Sequence, residues 1–280
     1  MAMRTVLTLL GVENPDGDLK NAIKACEEIG AHLSVLLIAL APTPPMSEFA
    51  SGAIVASGWI EQRQQDEEAL RQASGRITAM LAKSGISADV ANAYAEGGWI
   101  ADDIGRRARY ADVTLLGPHL MQNSTLKSYA LDGALFESAT PVVILPAGAV
   151  PTLRPRRILV AWNSRSEAAR AVREALDLLA GAEEVSVTLV DPEASELGSG
   201  AEPGADIAAY LARHGVKVRV DRLPSQGRTV AEILSRHAVD FAADMIVMGG
   251  YGHSRLRQRI FGGVTKSLID TPPLPLFLAR

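Results

Sequence analysis

Apolar positions in the second half of the chain switch between two periods. ILVAW (158–162), VSVTLV (185–190), VKVRV (216–220) and MIVM (245–248) are short β-branched runs of strand length. Between the first two, Ala168, Val172, Ala175, Leu176 and Leu179 recur at helical spacing and make one apolar face. Between the last two, Val230, Ile233, Leu234, His237 and Phe241 do the same, which turns His237 toward a core rather than toward chemistry. Strand and helix periods in alternation predict βαβ units and a parallel sheet.

The first half repeats the scheme. RTVLTLL (4–10) opens it as RILVAW (157–162) opens the second, with a helix presenting Leu19, Ala22, Ile23 and Cys26, then LSVLLIAL (33–40). ADVTLLG (111–117) matches ADMIVMG (243–249), each an apolar strand entered through Ala-Asp and ended by Gly. Each half closes on a Pro-led strand, PVVILP (141–146) and PLPLFL (273–278). This is duplication at domain scale, with a domain over 1–150, a second over 151–280 and the Pro- and Arg-rich segment 147–157 as linker. The first half alone carries an excursion from Pro42 to about Lys83, where EQRQQDEEALRQASGRI reads as an extended, solvated helix.

Composition narrows the classes. With 48% apolar and 21% charged residues among 280, the chain is globular rather than disordered. No apolar run reaches the roughly 18 residues of a membrane span, and the N-terminal stretch lacks a secretory signal, so a cytoplasmic protein with no membrane partner is expected. The single cysteine, Cys26, cannot build a disulfide framework and falls on an apolar helix face. A formal net charge of −4 provides no basic excess for nucleic acid. The charge is uneven: residues 1–150 hold 11 Lys/Arg against 17 Asp/Glu, residues 151–280 hold 17 against 15, so the second half is the better host for a polyanion.

In a doubly wound sheet the ligand sits at the carboxyl ends of the strands where strand order reverses. After MIVM comes GGYGHSRLRQRIFGGVTKSLID. Gly249, Gly252 and Gly262 permit positive φ and close backbone approach, and a helix starting near Gly263 adds a partial positive charge, an arrangement suited to phosphate. Thr265 puts a hydroxyl in its first turn. His253 within this loop and His119 after the equivalent first-half strand are lone histidines, which by themselves specify neither a general base nor a metal site.

The spacing G-x2-G-x9-G, after a strand entered through Asp244 and before a Pro-led terminal strand, resembles the ATP-binding subgroup of the universal stress proteins. The likeness spans both halves and resembles the tandem bacterial type, including Trp162-Asn163 after the first strand of the second half. It implies two tandem doubly wound, mainly parallel five-stranded α/β sheets, Rossmann-like and similar to the adenine nucleotide α-hydrolases, paired as an intramolecular pseudo-dimer. It further implies ATP or AMP, with Mg2+, as ligand: phosphates on Gly249, Gly252, Gly262, Gly263 and Thr265, adenine near Leu189 and Met248, and Asn163 toward the ribose. Two positions depart from the family pattern, Gly263 where Ser or Thr is usual and Asn163 where Asp is usual. Gly263 keeps a backbone N–H without a hydroxyl, and Asn163 is a poorer metal ligand than a carboxylate.

In the first half Gly117 is followed by Leu120 at the second glycine position and by no glycine nine residues on, so nucleotide binding is not expected there. Three functions stay open: a non-catalytic nucleotide-binding stress protein acting through an unidentified protein partner, a ligand-free interaction protein, and a slow ATP hydrolase. No residue is singled out as catalytic or metal-ligating, and self-association of whole chains is left open.

Overall fold

The computed structural model describes residues 3–44, 52–194, 201–250 and 263–280, excluding the side chains of 52–56. It divides into two compact units, Met3–Thr140 and Pro141–Arg280. The first unit runs β1 (Thr5–Gly11), α1 (Asp16–Ile29), β2 (His32–Leu40), α2 (Gly52–Ser84), β3 (Ala88–Ala95), α3 (Gly97–Ala108), β4 (Val113–Leu116), α4 (Pro118–Gln122) and α5 (Ser124–Leu131), ending in a π-helical turn, Asp132–Glu137. Its sheet order is β3-β2-β1-β4, all parallel. The central strands read as continuous apolar runs because helices cover both faces: in β1, Val6 to Leu10 are all buried.

The second unit contains β5 (Val142–Ile144), β6 (Arg157–Ala161), α6 (Ser166–Glu174), α7 (Leu176–Gly181), β7 (Glu184–Val190), α8 (Ala205–Arg213), β8 (Val218–Leu223), α9 (Val230–Asp240), β9 (Met245–Gly249), α10 (Gly263–Asp270) and β10 (Leu276–Ala279). Its strand order is β5-β10-β9-β6-β7-β8. All pairs are parallel except β5 with β10, the two Pro-led strands, where Val143 faces Phe277. The fold is therefore an open, doubly wound, mainly parallel α/β architecture in which each half supplies five described strands. The halves do not close on five strands each. The last strand of the first half pairs with the last strand of the chain, so the first unit counts four strands and the second six.

Local sequence explains most elements. The long polar helix in the 42–83 excursion is α2, anchored by a narrow face of Leu70, Ala73, Ile77 and Leu81. The single helix expected over 168–179 is two. It breaks at Ala175 (φ −89°, ψ 2°), so Leu178 is buried where Leu176 is only half-buried. Strand β3, ADVANAYA, carries no apolar run because it is an edge strand with most side chains partly exposed. The order reverses between β1 and β4 in the first unit and between β6 and β9 in the second, and these two clefts are where a ligand belongs.

Candidate nucleotide site

At the carboxyl edge of the second unit, β9 ends in Gly249. A Cβ there would lie 2.4 Å from the backbone carbonyl carbon of Glu167 and 2.5 Å from the Ala168 nitrogen. This glycine is therefore required by the close approach of α6 to the strand end, which brings the N-terminus of α6 to the cleft. Gly250 follows, its N–H donating to the Ala279 carbonyl (2.8 Å), and a Cβ built on it would lie 3.9 Å from the Thr265 methyl. Thr265 in the first turn of α10 is thus brought beside the end of β9. Two helix N-termini, α6 and α10, converge on the strand ends with their partial positive charge. Gly263 is exposed, and among the described residues nothing lies within 4 Å of a Cβ built on it. Gly252, Gly262 and His253 lie outside the described residues.

Asn163, beyond β6, is exposed, and its side-chain oxygen accepts the Arg165 N–H (3.1 Å), closing a tight turn before α6 with Ser164 at φ 59°. Ala161 pairs with both Met248 and Thr188, so Met248 lies level with Thr188, and Leu189 is one residue further along β7. Met248 and Leu189 face opposite layers. Leu189 packs toward Gly204 at the start of α8, whereas Met248 points away from the side on which Gly249 meets α6. At 1% and 5% exposure, each offers a planar base only its edge. Sequence reasoning missed Asp191, a carboxylate directly past β7. It sits at φ 44° and accepts the Ser225 N–H (2.9 Å), and hydrogen bonding by Ser225 holds it below the usual carboxylate range. The signal was present as an Asp-Pro pair ending a strand.

The family model for the universal stress protein family matches residues 155–280, the segment that builds this cleft. Residues 155–280 thus resemble a universal stress protein domain. Over the whole chain the fold is similar to a universal stress protein from Archaeoglobus fulgidus, with a TM-score of 0.66 and 18% identity, covering 98% of this chain and 96% of that one. A putative universal stress protein from Pseudomonas aeruginosa aligns at 0.52 and 16% identity over 99% and 93% of the two chains. No curated protein sequence matches significantly.

Against this universal stress protein domain, the first unit differs at one decisive place. Gly117, equivalent to Gly249, makes room for a carboxylate: a Cβ there would stand 2.1 Å from Cγ of Asp18. Asp18 is 2% exposed and accepts the N–H of His119 (3.2 Å) and of Leu120 (3.0 Å), with His119 Nδ1 at 3.0 Å. The backbone donors after β4 are thereby spent on an internal anion. Leu120 is buried, and the Leu126 side chain comes within 3.0 Å of a Cβ built on Gly11, over the end of β1. Gly133 has a separate role. With Gly105 it lets the π-helical turn touch α3, a Cβ on Gly133 meeting the Ala101 carbonyl at 2.6 Å and one on Gly105 meeting Glu137 Cβ at 2.4 Å. His119 is therefore part of a hydrogen-bonded lock on Asp18.

His237 faces inward, with 15% of its side chain exposed, and its Nε2 meets Asp221 at 2.9 Å. Burial alone would raise the Asp221 carboxyl, but hydrogen bonds from Ser186, Arg219 and His237 outweigh it and hold the group below the ordinary carboxylate range. This cluster ties β7, β8 and α9 together.

Proposed function

We propose that the second unit binds one adenine nucleotide, ATP or AMP, at the carboxyl edge of β6 and β9, and that the chain acts as a nucleotide-responsive stress protein through contacts with a protein partner. In this reading the phosphates rest on the backbone at Gly249, Gly252, Gly262 and Gly263 and on the Thr265 hydroxyl, aided by the N-termini of α6 and α10. The ribose lies toward Asn163, and the base lies against the edges of Leu189 and Met248.

The observation that carries the reading is the contrast between the units. Where the first places the Asp18 carboxylate against its loop amides, in the second the nearest described atoms to a Cβ on Gly249 are the backbone of Glu167 and Ala168. Asn163 is neutral and its oxygen already holds the Arg165 N–H, so magnesium would be carried mainly by the phosphates. No residue is assigned to bond cleavage, and hydrolysis would be at most slow.

Thermal unfolding with and without nucleotide tests this. ATP or AMP in excess over its dissociation constant raises the melting temperature if the second unit binds it, by about 2.7 kcal/mol of added stability at a hundredfold excess. An unchanged melting temperature at millimolar nucleotide favours the ligand-free interaction protein instead.

A further inference from the structure

A second constellation lies in the first unit, at the amino-terminal ends of β2 and β3. His32, the first residue of β2, is fixed through its N–H to the Arg4 carbonyl (2.8 Å), and Ser87, just before β3, through its carbonyl to the Leu33 N–H (2.9 Å). Between these anchors the imidazole bridges two partners. Nε2 lies 2.7 Å from Asp89 Oδ2 and Nδ1 lies 2.8 Å from Ser87 Oγ. The Ser34 hydroxyl donates to the other Asp89 oxygen at 3.2 Å.

The order of protons follows from the chemistry of the groups. An ionised carboxylate only accepts, so Nε2 carries the hydrogen. In the neutral ring Nδ1 is then an acceptor, and the Ser87 hydroxyl donates to it. A hydroxyl donating to an imidazole whose far nitrogen is held by a carboxylate is the arrangement that activates serine as a nucleophile. Ser87 is exposed and within reach of a reagent. The second unit shows that these residue types need not line up so. Its Ser186 hydroxyl is buried and meets Asp221 (2.7 Å) and Thr188 (2.9 Å), and His237 bonds the same aspartate, leaving no serine on the imidazole.

We infer that Ser87 is a nucleophilic serine, with His32 as its base and Asp89 as a positioning residue, that accepts an acyl group from an activated ester or thioester. Ser87 Oγ bonds to the acyl carbon while its proton passes to His32 Nδ1. The tetrahedral adduct expels the alcohol or thiol, which leaves with the bonding electron pair and takes the proton from Nδ1, so the ring returns to neutral and Ser87 is left as an ester.

The test is acetylation of the full chain by p-nitrophenyl acetate, followed by mass mapping of modified peptides and release of p-nitrophenol. Acetyl should accumulate on Ser87 ahead of the chain's other serines, and unfolding in urea should erase that preference. His32→Gln should slow acetylation of Ser87 about 100-fold or more, the size of a lost general base, and Asp89→Asn by a smaller factor, with melting temperatures near wild type. Ser87→Ala should remove the fast phase of p-nitrophenol release. An unmodified Ser87 in the folded wild type, or equal rates at Ser87 in wild type and folded His32→Gln, would overturn the assignment.

Discussion

The Asp18 carboxylate accepts the backbone N–H of Leu120 at 3.0 Å, across 102 positions of sequence, and takes the N–H of His119 with it. The donors that begin α4 are thus satisfied by the protein itself. Removing the acceptor strands the buried Leu120 donor and the part-buried His119 donor, a buried one costing about 1–3 kcal/mol. Asp18→Ala should destabilise the first unit by about 2–4 kcal/mol in urea denaturation, and Asp18→Asn, which keeps one acceptor oxygen, by less. If Asp18→Ala is as stable as wild type, the carboxylate does not hold the loop.

The glycines at the ends of β9 and α10 should respond oppositely. Gly249→Ala drives a methyl into the Glu167 backbone and should cost about 1–3 kcal/mol of stability along with any ligand binding. At Gly263, where nothing among the described residues obstructs a side chain, Gly263→Ser should leave the fold intact. It should also tighten nucleotide binding about fivefold to tenfold by restoring a hydroxyl beside the phosphates, the worth of one hydrogen bond of about 1 kcal/mol. Calorimetric titration of the two variants measures both effects.

Asp221 sets an acid limit. Its carboxyl is depressed in the folded chain, so its stabilising contribution is fully present above the unfolded value of about 3.9 and is lost as pH falls through the folded value. Stability in urea should decline as pH is lowered from about 5 to below 4. Asp221→Asn should lower stability at neutral pH and flatten that decline, because the titrating group is gone. An undiminished slope in the variant would place the acid sensitivity elsewhere.

Most of the architecture was legible because it is written in periodicity. Continuous runs such as Val6 to Leu10 and Met245 to Met248 are what a strand buried on both faces requires. The repeat of ADVTLLG and ADMIVMG marks β4 and β9 as counterparts in the two halves. Strand β3 was not located because an edge strand needs no apolar run, and the helix break at Ala175 leaves no Gly or Pro to mark it. At the cleft, spacing brought Gly249 and Thr265 to one place, but Asp18 was hidden. An aspartate in the first turn of a helix, as Asp16 also is, looks solvated until the chain folds Gly117 against it. Likewise His32 is more than 50 residues from Ser87 and Asp89, and only the parallel register of β2 and β3 brings it to them. The adenine assignment drew on Leu189 and Met248 together, and strand register sets them on opposite layers.

The central claim is one nucleotide site per chain, in the second unit, dependent on its glycine loop. Isothermal titration of ATP into the wild-type protein and into Gly252→Val tests it most directly. A β-branched side chain at that glycine restricts the backbone and fills the space an anion would use. One site per chain in wild type and none in a folded Gly252→Val is the result expected. Two sites per chain, or undiminished binding in the variant, would contradict the account.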